Sequence, residues 1–392
     1  MLNFDYENKT RIIFGEDTHK TVGEVLKPHA SKVLLHYGGG SIKSTGVYDD
    51  VINSLKANNI DFVELGGVKP NPRLSLVNEG IKLCIEENVD FILAVGGGSV
   101  IDSAKTIALG AKNEGDVWDF FLTNKDNNGA LPTSTILTIP AAGSEASSGA
   151  VITNEDKELK LSYGRENLRP IFSIINPKIY FTLPANQIAN GVCDMMIHIM
   201  ERYFTNTKNT ELIDGLCEST LKTIMKNALI LKEDNKNYEA WSEIALAGTI
   251  AHNGLLGIGR EQDWASHNIE HELSAIYDVA HGAGLAVVTP AWMTYVYKTN
   301  VDMFVQFAIN VMGVDVAYRD SDKIALEGIK RLKNFFREME LPLRLEDLNI
   351  DDNKLELMAK KATNFESGKE NLLGGVKKLN WEDVFAIYKL AL

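Results

Sequence analysis

The stretch Ile92–Ser99, with the sequence ILAVGGGS, decides the fold of this chain of 392 residues. Its apolar half is short and ends at glycines, which is typical of a buried β-strand. The same pattern occurs earlier, in Leu34–Ser41, with the sequence LLHYGGGS. A glycine turn between a strand and a helix lets backbone N–H groups approach a phosphate. Because ligands of open α/β sheets bind at the carboxyl ends of strands, the two turns together predict a nucleotide- or phosphate-binding site.

A single turn of this kind has a simpler explanation, namely a tight turn that requires the conformational freedom of glycine. Neither turn matches the GxGxxG fingerprint, so the sequence does not predict an ordinary Rossmann dehydrogenase. A third turn, Thr138–Glu145 (TIPAAGSE), follows another predicted strand. We expect it to form a further wall of the same crevice.

The residues around these turns alternate between two patterns. Segments with apolar residues at helical spacing, such as Thr45–Asn58 and Leu74–Asn88, lie between short apolar runs. This alternation predicts βαβ units and a doubly wound, mostly parallel sheet. The predicted strands are Val33–Tyr37, Phe62–Leu65, Phe91–Val95, Thr135–Ile139 and Phe172–Ile175.

The strand pattern stops after Pro184, and long helical patterns continue to the end of the chain. Proline followed by Ala-Asn-Gln suits the start of a helix. We therefore predict an α/β N-terminal domain, residues 1–184, that binds a dinucleotide, and an all-α C-terminal domain, residues 185–392, that binds a metal.

Composition excludes several classes of function. The net charge of −13 and the absence of a basic run argue against nucleic acid or an anionic membrane as a partner. Met1–Gly15 has early acidic residues and no apolar core, unlike a signal peptide. No apolar run reaches the ~18 residues of a membrane span. With only Cys84, Cys193 and Cys217, a disulfide framework is not expected, and we predict a cytoplasmic location.

Acidic and histidine side chains recur at helical spacing in the C-terminal half. Asp194 and His198 are four residues apart, as are His267 and His271, and His281 follows. Residues four apart share one face of a helix, and a carboxylate with imidazoles suits Fe²⁺ or Zn²⁺. One such pair alone would be explained as histidines packed in a core. Two pairs on separate helices beside a nucleotide domain favour a metal site.

Other polar residues near these pairs have a structural interpretation. Adjacent helix positions point apart, so Cys193 is expected to be a packed thiol rather than a ligand. The carboxylates of Glu261–Asp263, Glu270 and Glu272 are expected on a solvated face. The alternative is that one of them orients a ligand histidine.

At these residues the sequence resembles the iron-containing alcohol dehydrogenase family, and most of all its butanol dehydrogenase branch. The resemblance implies an architecture like that of dehydroquinate synthase, and a homodimer. It runs along almost the whole chain, through Phe4, Thr10, Phe14-Gly15, Gly38–Ser41, Lys69–Pro72, Gly96–Lys105, Ile139–Glu145, Asn176-Pro177, Leu183-Pro184, Gly191–His198, His267–His271, His281–Ala286 and Pro290.

The resemblance assigns roles to individual residues. It implies that Asp194, His198, His267 and His281 bind the metal, and that His271 lies near the nicotinamide and assists proton exchange. It places Gly97, Gly98, Ser99 and Asp102 at the cofactor pyrophosphate and Gly38, Gly39 and Ser41 at the adenosine end. The further cofactor-lining positions are Asn71, Thr138, Ser144, Lys160 and Leu183.

Position 39 indicates the coenzyme. NAD-preferring relatives tend to carry Asp in this turn, where a carboxylate repels a ribose 2′-phosphate. Here Gly39 carries no charge and Lys43 is nearby. A carboxylate about 4 Å from a phosphate costs on the order of 1 kcal/mol or more, so its absence favours NADP(H).

The resemblance therefore implies a metal-dependent oxidoreductase that transfers a hydride between NADP(H) and a small primary alcohol or aldehyde, such as butanol or butyraldehyde. An NAD-dependent glycerol or diol dehydrogenase of the same fold is the main alternative. A sugar-phosphate cyclase would need clustered basic residues, which the metal motifs lack. A non-enzymatic sensor would be favoured by a missing ligand, and all the ligand positions are filled.

Overall fold

The computed structural model describes residues 1–316, 320–365 and 370–392. These residues form two compact units. The α/β unit comprises Glu7–Leu183 and Asp234–Thr249, and the helical unit comprises Met1–Tyr6, Pro184–Glu233 and Ile250–Leu392.

The α/β unit contains all the named strands of the described chain. They are β1 (Arg11–Phe14), β2 (Lys32–Tyr37), β3 (Asp61–Leu65), β4 (Phe91–Gly96), β5 (Thr133–Leu137), β6 (Gly149–Asn154), β7 (Leu159–Gly164) and β8 (Phe172–Ile175). Six of them form a parallel sheet in the order β1-β8-β5-β4-β2-β3. The other two, β6 and β7, form an antiparallel hairpin. The doubly wound, mostly parallel sheet is thus confirmed.

Helices alternate with these strands. The unit contains α1 (Val22–Leu26), α2 (Ser41–Ser44), α3 (Val47–Ala57), α4 (Leu74–Glu86), α5 (Gly98–Gly110) and α6 (Trp118–Thr123). Side chains from α1 and α3 pack on one face of the sheet, where Val33, Leu35, Phe91, Leu93 and Ile136 are fully buried. The glycine turns lie at the ends of β2 and β4, as expected.

Several element boundaries differ from the predicted ones. The strand Phe172–Ile175 is observed as predicted, whereas Thr135–Ile139 is wrong at its end, because β5 stops at Leu137 and the chain then turns towards Pro140. The predicted helix Thr45–Asn58 begins only at Val47, after Gly46 with its positive φ of 83°. The strands β1, β6 and β7 were not predicted, because their sequences are short or contain polar and charged residues.

The helices of the helical unit begin after Pro184, which follows β8 and the 3-10 helix Pro177–Thr182. It contains α7 (Ala185–Tyr203), α8 (Glu211–Glu233), α10 (Ala265–Tyr277), α11 (His281–Val296), α12 (Val301–Asn310), α13 (Ser321–Glu338), α14 (Leu355–Ala362) and α15 (Trp381–Leu390). The start of α7 after Pro184 confirms the helix predicted there. None of the helices in the described ranges combines the length and apolar character that crossing a membrane requires.

The two units do not coincide with the predicted domains, 1–184 and 185–392. Two segments belong to the other unit. The helix α9 (Tyr238–His252) belongs to the α/β unit up to Thr249. There Trp241 packs against Tyr180 with ring centroids 5.3 Å apart. The N-terminal Met1–Tyr6 joins the helical unit, where the amide of Leu2 donates to a carbonyl 2.7 Å away. The division into domains stays a prediction.

Candidate active site

One face of α7 carries acidic and imidazole side chains in an otherwise apolar, buried helix. Asp194, His198 and Glu201 follow one another at intervals of four and three residues, so they lie along one side of the helix. All three are buried, as are Cys193 and Met195 beside them. Since buried polar groups are costly unless they are paired, this line of side chains requires partners from other elements.

The partners come from α10 and α11. His267 lies in the first turn of α10, and His281 is the first residue of α11. The Nε2 atoms of His198, His267 and His281 lie 3.3, 3.7 and 3.8 Å from Oδ1 of Asp194. Three imidazole nitrogens thus surround one carboxylate oxygen.

These donors fit a divalent transition-metal ion. Oδ1 of Asp194 and Nε2 of His267 are buried and have no hydrogen-bond partner in the described chain. One donor atom from each of Asp194, His267 and His281 lies within 4.8 Å of the other two. Metal–donor distances of about 2.0–2.2 Å place tetrahedral ligands roughly 3.4 Å apart. The spacing of the nitrogens around Asp194 is close to that value.

Two further carboxylates lie behind the imidazoles. Oε1 of Glu201 is 3.1 Å from Nδ1 of His267, and Oε2 of Glu270 is hydrogen-bonded to Nδ1 of His281. Glu201 was not predicted. The prediction of a solvated face is wrong for Asp263, Glu270 and Glu272, since all three are buried, whereas the alternative that one of these carboxylates orients a ligand histidine fits Glu270. The spacing could have found them, because Glu201 is seven residues after Asp194 and Glu270 three after His267.

The histidines of this cluster have opposite pKa shifts. Burial lowers the pKa of His198 well below its usual range, and the neighbouring His252 and His267 lower it further. Burial also lowers the pKa of His267, but the negative charges of the Asp194 and Glu201 carboxylates outweigh this effect and raise it to about 9. The pocket therefore favours positive charge between Asp194 and Glu201, the charge that a metal cation would supply.

His271 is adjacent to the cluster. Its ring centroid is 5.8 Å from that of His281. One donor atom of His271 lies within 4.8 Å of donor atoms of Glu270 and His281, a group that does not include Asp194. Sequence reasoning missed two aromatic neighbours. His252 lies 4.1 Å from His198 between ring centroids, and Trp264, with a φ of 65°, lies 5.3 Å from His267.

The glycines predicted at the pyrophosphate lie where two turns approach closely. A Cβ at Gly97 would be 3.2 Å from Ile139, and one at Gly98 would be 3.3 Å from Ala142. The third turn therefore packs against the second, as expected. Gly98 and Ser99 begin α5, a helix of 13 residues, and the first N–H groups of a helix lack partners within it. They could receive a phosphate.

The turn after β2 is more open. No atom lies within 4 Å of the position that a Cβ would take at Gly39, nor at Gly40. Ser41 is exposed and begins the short α2, and Gly38 is half-buried. The ammonium group of Lys43 lies over the ring of Tyr48, 4.6 Å from its centroid. Close packing does not require glycine at position 39, so the space is available to a ligand.

Several predicted cofactor residues hold one another. Both carboxylate oxygens of Asp102 accept hydrogen bonds, one from Ser144 at 2.5 Å and one from the amide of Val151 at 3.0 Å. Burial raises the pKa of Asp102. The amide of Asn71 pairs with Lys160, Nζ to Oδ1 being 3.1 Å. The backbone amides of two others are bonded within the unit, Thr138 to Gly96 and Leu183 to Tyr180.

Comparisons with known proteins give the family. Residues 9–177 match the model described as iron-containing alcohol dehydrogenase, and residues 188–392 match the Fe-containing alcohol dehydrogenase family, C-terminal. The chain is similar to probable NADH-dependent butanol dehydrogenase 1 of Bacillus subtilis, with 45% identity over 100% of both chains. It is 36% identical to NADPH-dependent aldehyde reductase YqhD of Escherichia coli, over 92% of this chain and 93% of that one.

A solved structure has the same fold. The NADH-dependent butanol dehydrogenase A of Thermotoga maritima superimposes with a TM-score of 0.96 and 43% identity, covering 100% of this chain and 99% of that one. A parallel-sheet N-terminal part followed by a helical C-terminal part is the fold of the iron-containing alcohol dehydrogenases among its structural neighbours. The chain belongs to the iron-containing alcohol dehydrogenase family, in the branch that contains the butanol dehydrogenases.

Proposed function

We propose that this protein is a metal-dependent oxidoreductase that interconverts a small primary aldehyde and its alcohol, of the butyraldehyde and butanol type, with NADP(H). The observation that carries the proposal is the convergence of three imidazole Nε2 atoms on Oδ1 of Asp194. The names of the Bacillus and Thermotoga relatives support the choice of butanol.

In the proposed reaction, some residues of this chain bind the metal ion and another holds a proton. Asp194, His198, His267 and His281 would hold Fe²⁺ or Zn²⁺. When bound, the ion supplies Lewis acidity at the substrate oxygen and NADP(H) supplies or accepts the hydride. His271, beside His281, would hold the proton that the alcohol oxygen gains during reduction or loses during oxidation. Asp194, His198 and His267 are buried, which would limit the access of water to the ion.

For the dinucleotide we propose the glycine turns and their neighbours. The start of α5, with Gly97, Gly98 and Ser99, would hold the pyrophosphate. The first turn, with Gly38, Gly39 and Ser41, would hold the adenosine end. The other proposed cofactor residues are Asn71, Asp102, Thr138, Ser144, Lys160 and Leu183.

The coenzyme preference is proposed from the first turn. The names of the three relatives described above differ on this point, since the Bacillus and Thermotoga proteins, at 45% and 43% identity, specify NADH and the Escherichia protein, at 36%, specifies NADPH. In this chain the open space at Gly39 leaves room for a ribose 2′-phosphate, and no carboxylate at that position would repel it. The ammonium group of Lys43 supplies a positive charge nearby. We therefore propose a preference for NADP(H). We also propose a cytoplasmic location, from the low cysteine count, and a homodimer, as the family resemblance implies.

The test is anaerobic turnover of butyraldehyde by protein stripped of metal and reloaded with Fe²⁺ or Zn²⁺. The proposal expects metal-dependent oxidation of NADPH, with kcat/KM for NADH at least about tenfold lower, a difference of about 1.4 kcal/mol. Metal-dependent turnover with NADH preferred would overturn the coenzyme assignment and leave the rest. Activity that is equal in the stripped and reloaded protein would overturn the metal site.

A further inference from the structure

We propose that Glu201 and Glu270 are positioning residues, which fix the rings of His267 and His281 so that Nε2 of each faces the metal position. This inference rests on the proposed function, because it assumes that the cluster around Asp194 binds a metal. It assigns a role to two buried carboxylates that no part of the proposed reaction uses directly.

Glu201 controls His267 through two hydrogen bonds. Its Oε1 accepts from Nδ1 of the ring at 3.1 Å and from the backbone N–H of the same residue at 3.0 Å. The residue before α10, Trp264, provides no side-chain cap. Glu201 therefore takes the place of a capping residue, and its negative charge is favoured at a helix N-terminus. One carboxylate fixes both the backbone and the ring of His267.

Glu270 controls His281 from a different helix. One carboxylate oxygen, Oε2, is bonded to Nδ1 of His281, and the other, Oε1, accepts from the hydroxyl of Ser274. The space for this carboxylate depends on Gly284, since a Cβ there would lie 2.7 Å from Oε1. The contacts with Ser274 and Gly284 thus fix one oxygen of Glu270, and the other oxygen is bonded to His281.

The consequence of these bonds is a fixed tautomer for each ring. A carboxylate only accepts hydrogen bonds, so Nδ1 of His267 and of His281 must carry the hydrogen. In the neutral ring, the form that binds a metal, the lone pair then lies on Nε2, the nitrogen that is 3.7 or 3.8 Å from Oδ1 of Asp194. Ligand histidines whose other nitrogen donates to a carboxylate are better oriented and more basic. His198 lacks this support in the described chain, where its Nδ1 has no partner.

The same helix offers a matched control. Glu272 is as buried as His198 and His267, and it lies two residues after Glu270. Its contact is an ion pair with Lys361, whose Nζ is 3.5 Å away. Replacing Glu272 removes a buried carboxylate from α10 without removing a bond to a ligand histidine.

The experiment measures metal affinity rather than turnover. Zn²⁺ binding is titrated against a competing chelator for the wild type and for Glu201→Leu, Glu270→Leu and Glu272→Leu, with matching Gln variants. We expect the first two Leu variants to bind Zn²⁺ about 10–100-fold more weakly. Glu201→Gln and Glu270→Gln, which retain an acceptor oxygen, are expected to recover part of the affinity. Glu272→Leu is expected to stay within about threefold of the wild type, because it leaves the ligand rings supported.

A spectrum distinguishes positioning from a loss of folding. Co²⁺-loaded Glu201→Gln and Glu270→Gln, whose unfolding by urea matches that of the wild type, should show a shifted visible d–d absorption. Zn²⁺ affinity and Co²⁺ spectra unchanged in all Glu201 and Glu270 variants would overturn the inference. A wild-type protein that binds neither ion would instead overturn the proposed function, so the two failures are distinguishable.

Discussion

The buried ammonium group of Lys105 donates a hydrogen bond of 2.7 Å to the carbonyl oxygen of Ser144. Lys105 is fully buried in α5, and its Nζ also lies 2.9 Å from the carbonyl of Ser147 and 2.8 Å from that of Gly149. Burial lowers its pKa to about 8, although the nearby carboxylates oppose this shift. The side chain of Lys105 thus holds the third turn, Thr138–Glu145, and the residues that follow it against α5.

Replacement of Lys105 by Met should strongly destabilise the protein. The carbonyls of Ser144, Ser147 and Gly149 would lose a buried donor, which costs about 1–3 kcal/mol for an acceptor left unsatisfied. Urea unfolding followed by circular dichroism measures the loss. The control is Lys82→Met, whose side chain is 74% exposed and whose loss should change stability by about 0.5 kcal/mol or less. Equal stabilities of the two variants would contradict the role of Lys105.

A carboxylate at position 39 should reverse the coenzyme preference. Gly39→Asp places a negative charge in open space beside the proposed 2′-phosphate, with no clash. At about 4 Å the repulsion is on the order of 1–4 kcal/mol, so kcat/KM for NADPH should fall about tenfold or more while the value for NADH changes little. Gly39→Asn, of the same shape without the charge, is the control. If both variants lose NADPH activity equally, charge is not the cause.

A buried histidine in the sheet should make stability depend on pH. Nδ1 of His36 lies 2.9 Å from the carbonyl of Leu65, so it carries the hydrogen, and Nε2 accepts from the hydroxyl of Ser103 at 2.9 Å. Burial lowers its pKa to about 4 from the usual 6.5. The unfolded chain binds the additional proton between these two values. Stability is therefore retained above pH 6.5 and lost as pH falls towards 4.

The contribution of His36 amounts to about 3 kcal/mol over that range. Urea unfolding at several pH values should give a shallower dependence for His36→Gln than for the wild type. The control is His29→Gln, since the ring of His29 is exposed and is solvated in the folded and the unfolded chain. An unchanged slope in His36→Gln would show that another group titrates.

The fold was predictable where a short stretch of sequence determines the backbone conformation by itself. The runs that end at Gly96 and at Gly38 have the apolar composition of buried strands, and glycine marks the turn after each. The hairpin of β6 and β7 was missed because its strands include Lys160 and Asn154, which find buried partners only in the folded unit.

The candidate site was predictable in its helical pairs, whereas the long-range contacts of its supporting carboxylates were not. Asp194 and His198 are related by one helical turn, which sequence spacing shows. Glu201 contacts His267 across 66 residues of sequence, and a carboxylate on a helix usually indicates a solvated face. Lys105 was missed for the same reason. Its acceptors lie about 40 residues further along the chain, and no local pattern distinguishes it from an exposed lysine.

Two glycines that lie in helices should respond in opposite ways to replacement by alanine. At Gly284 a methyl group would lie 2.7 Å from Oε1 of Glu270, whereas at Gly215 nothing lies within 4 Å. Gly284→Ala should therefore destabilise the helical unit by about 1–3 kcal/mol through overpacking, and weaken Zn²⁺ binding because Glu270 moves away from His281. Gly215→Ala, at an exposed position of α8, should instead stabilise the protein by about 0.5–1 kcal/mol. Urea unfolding and Zn²⁺ titration of both variants test this, and two substitutions with the same sign would refute it.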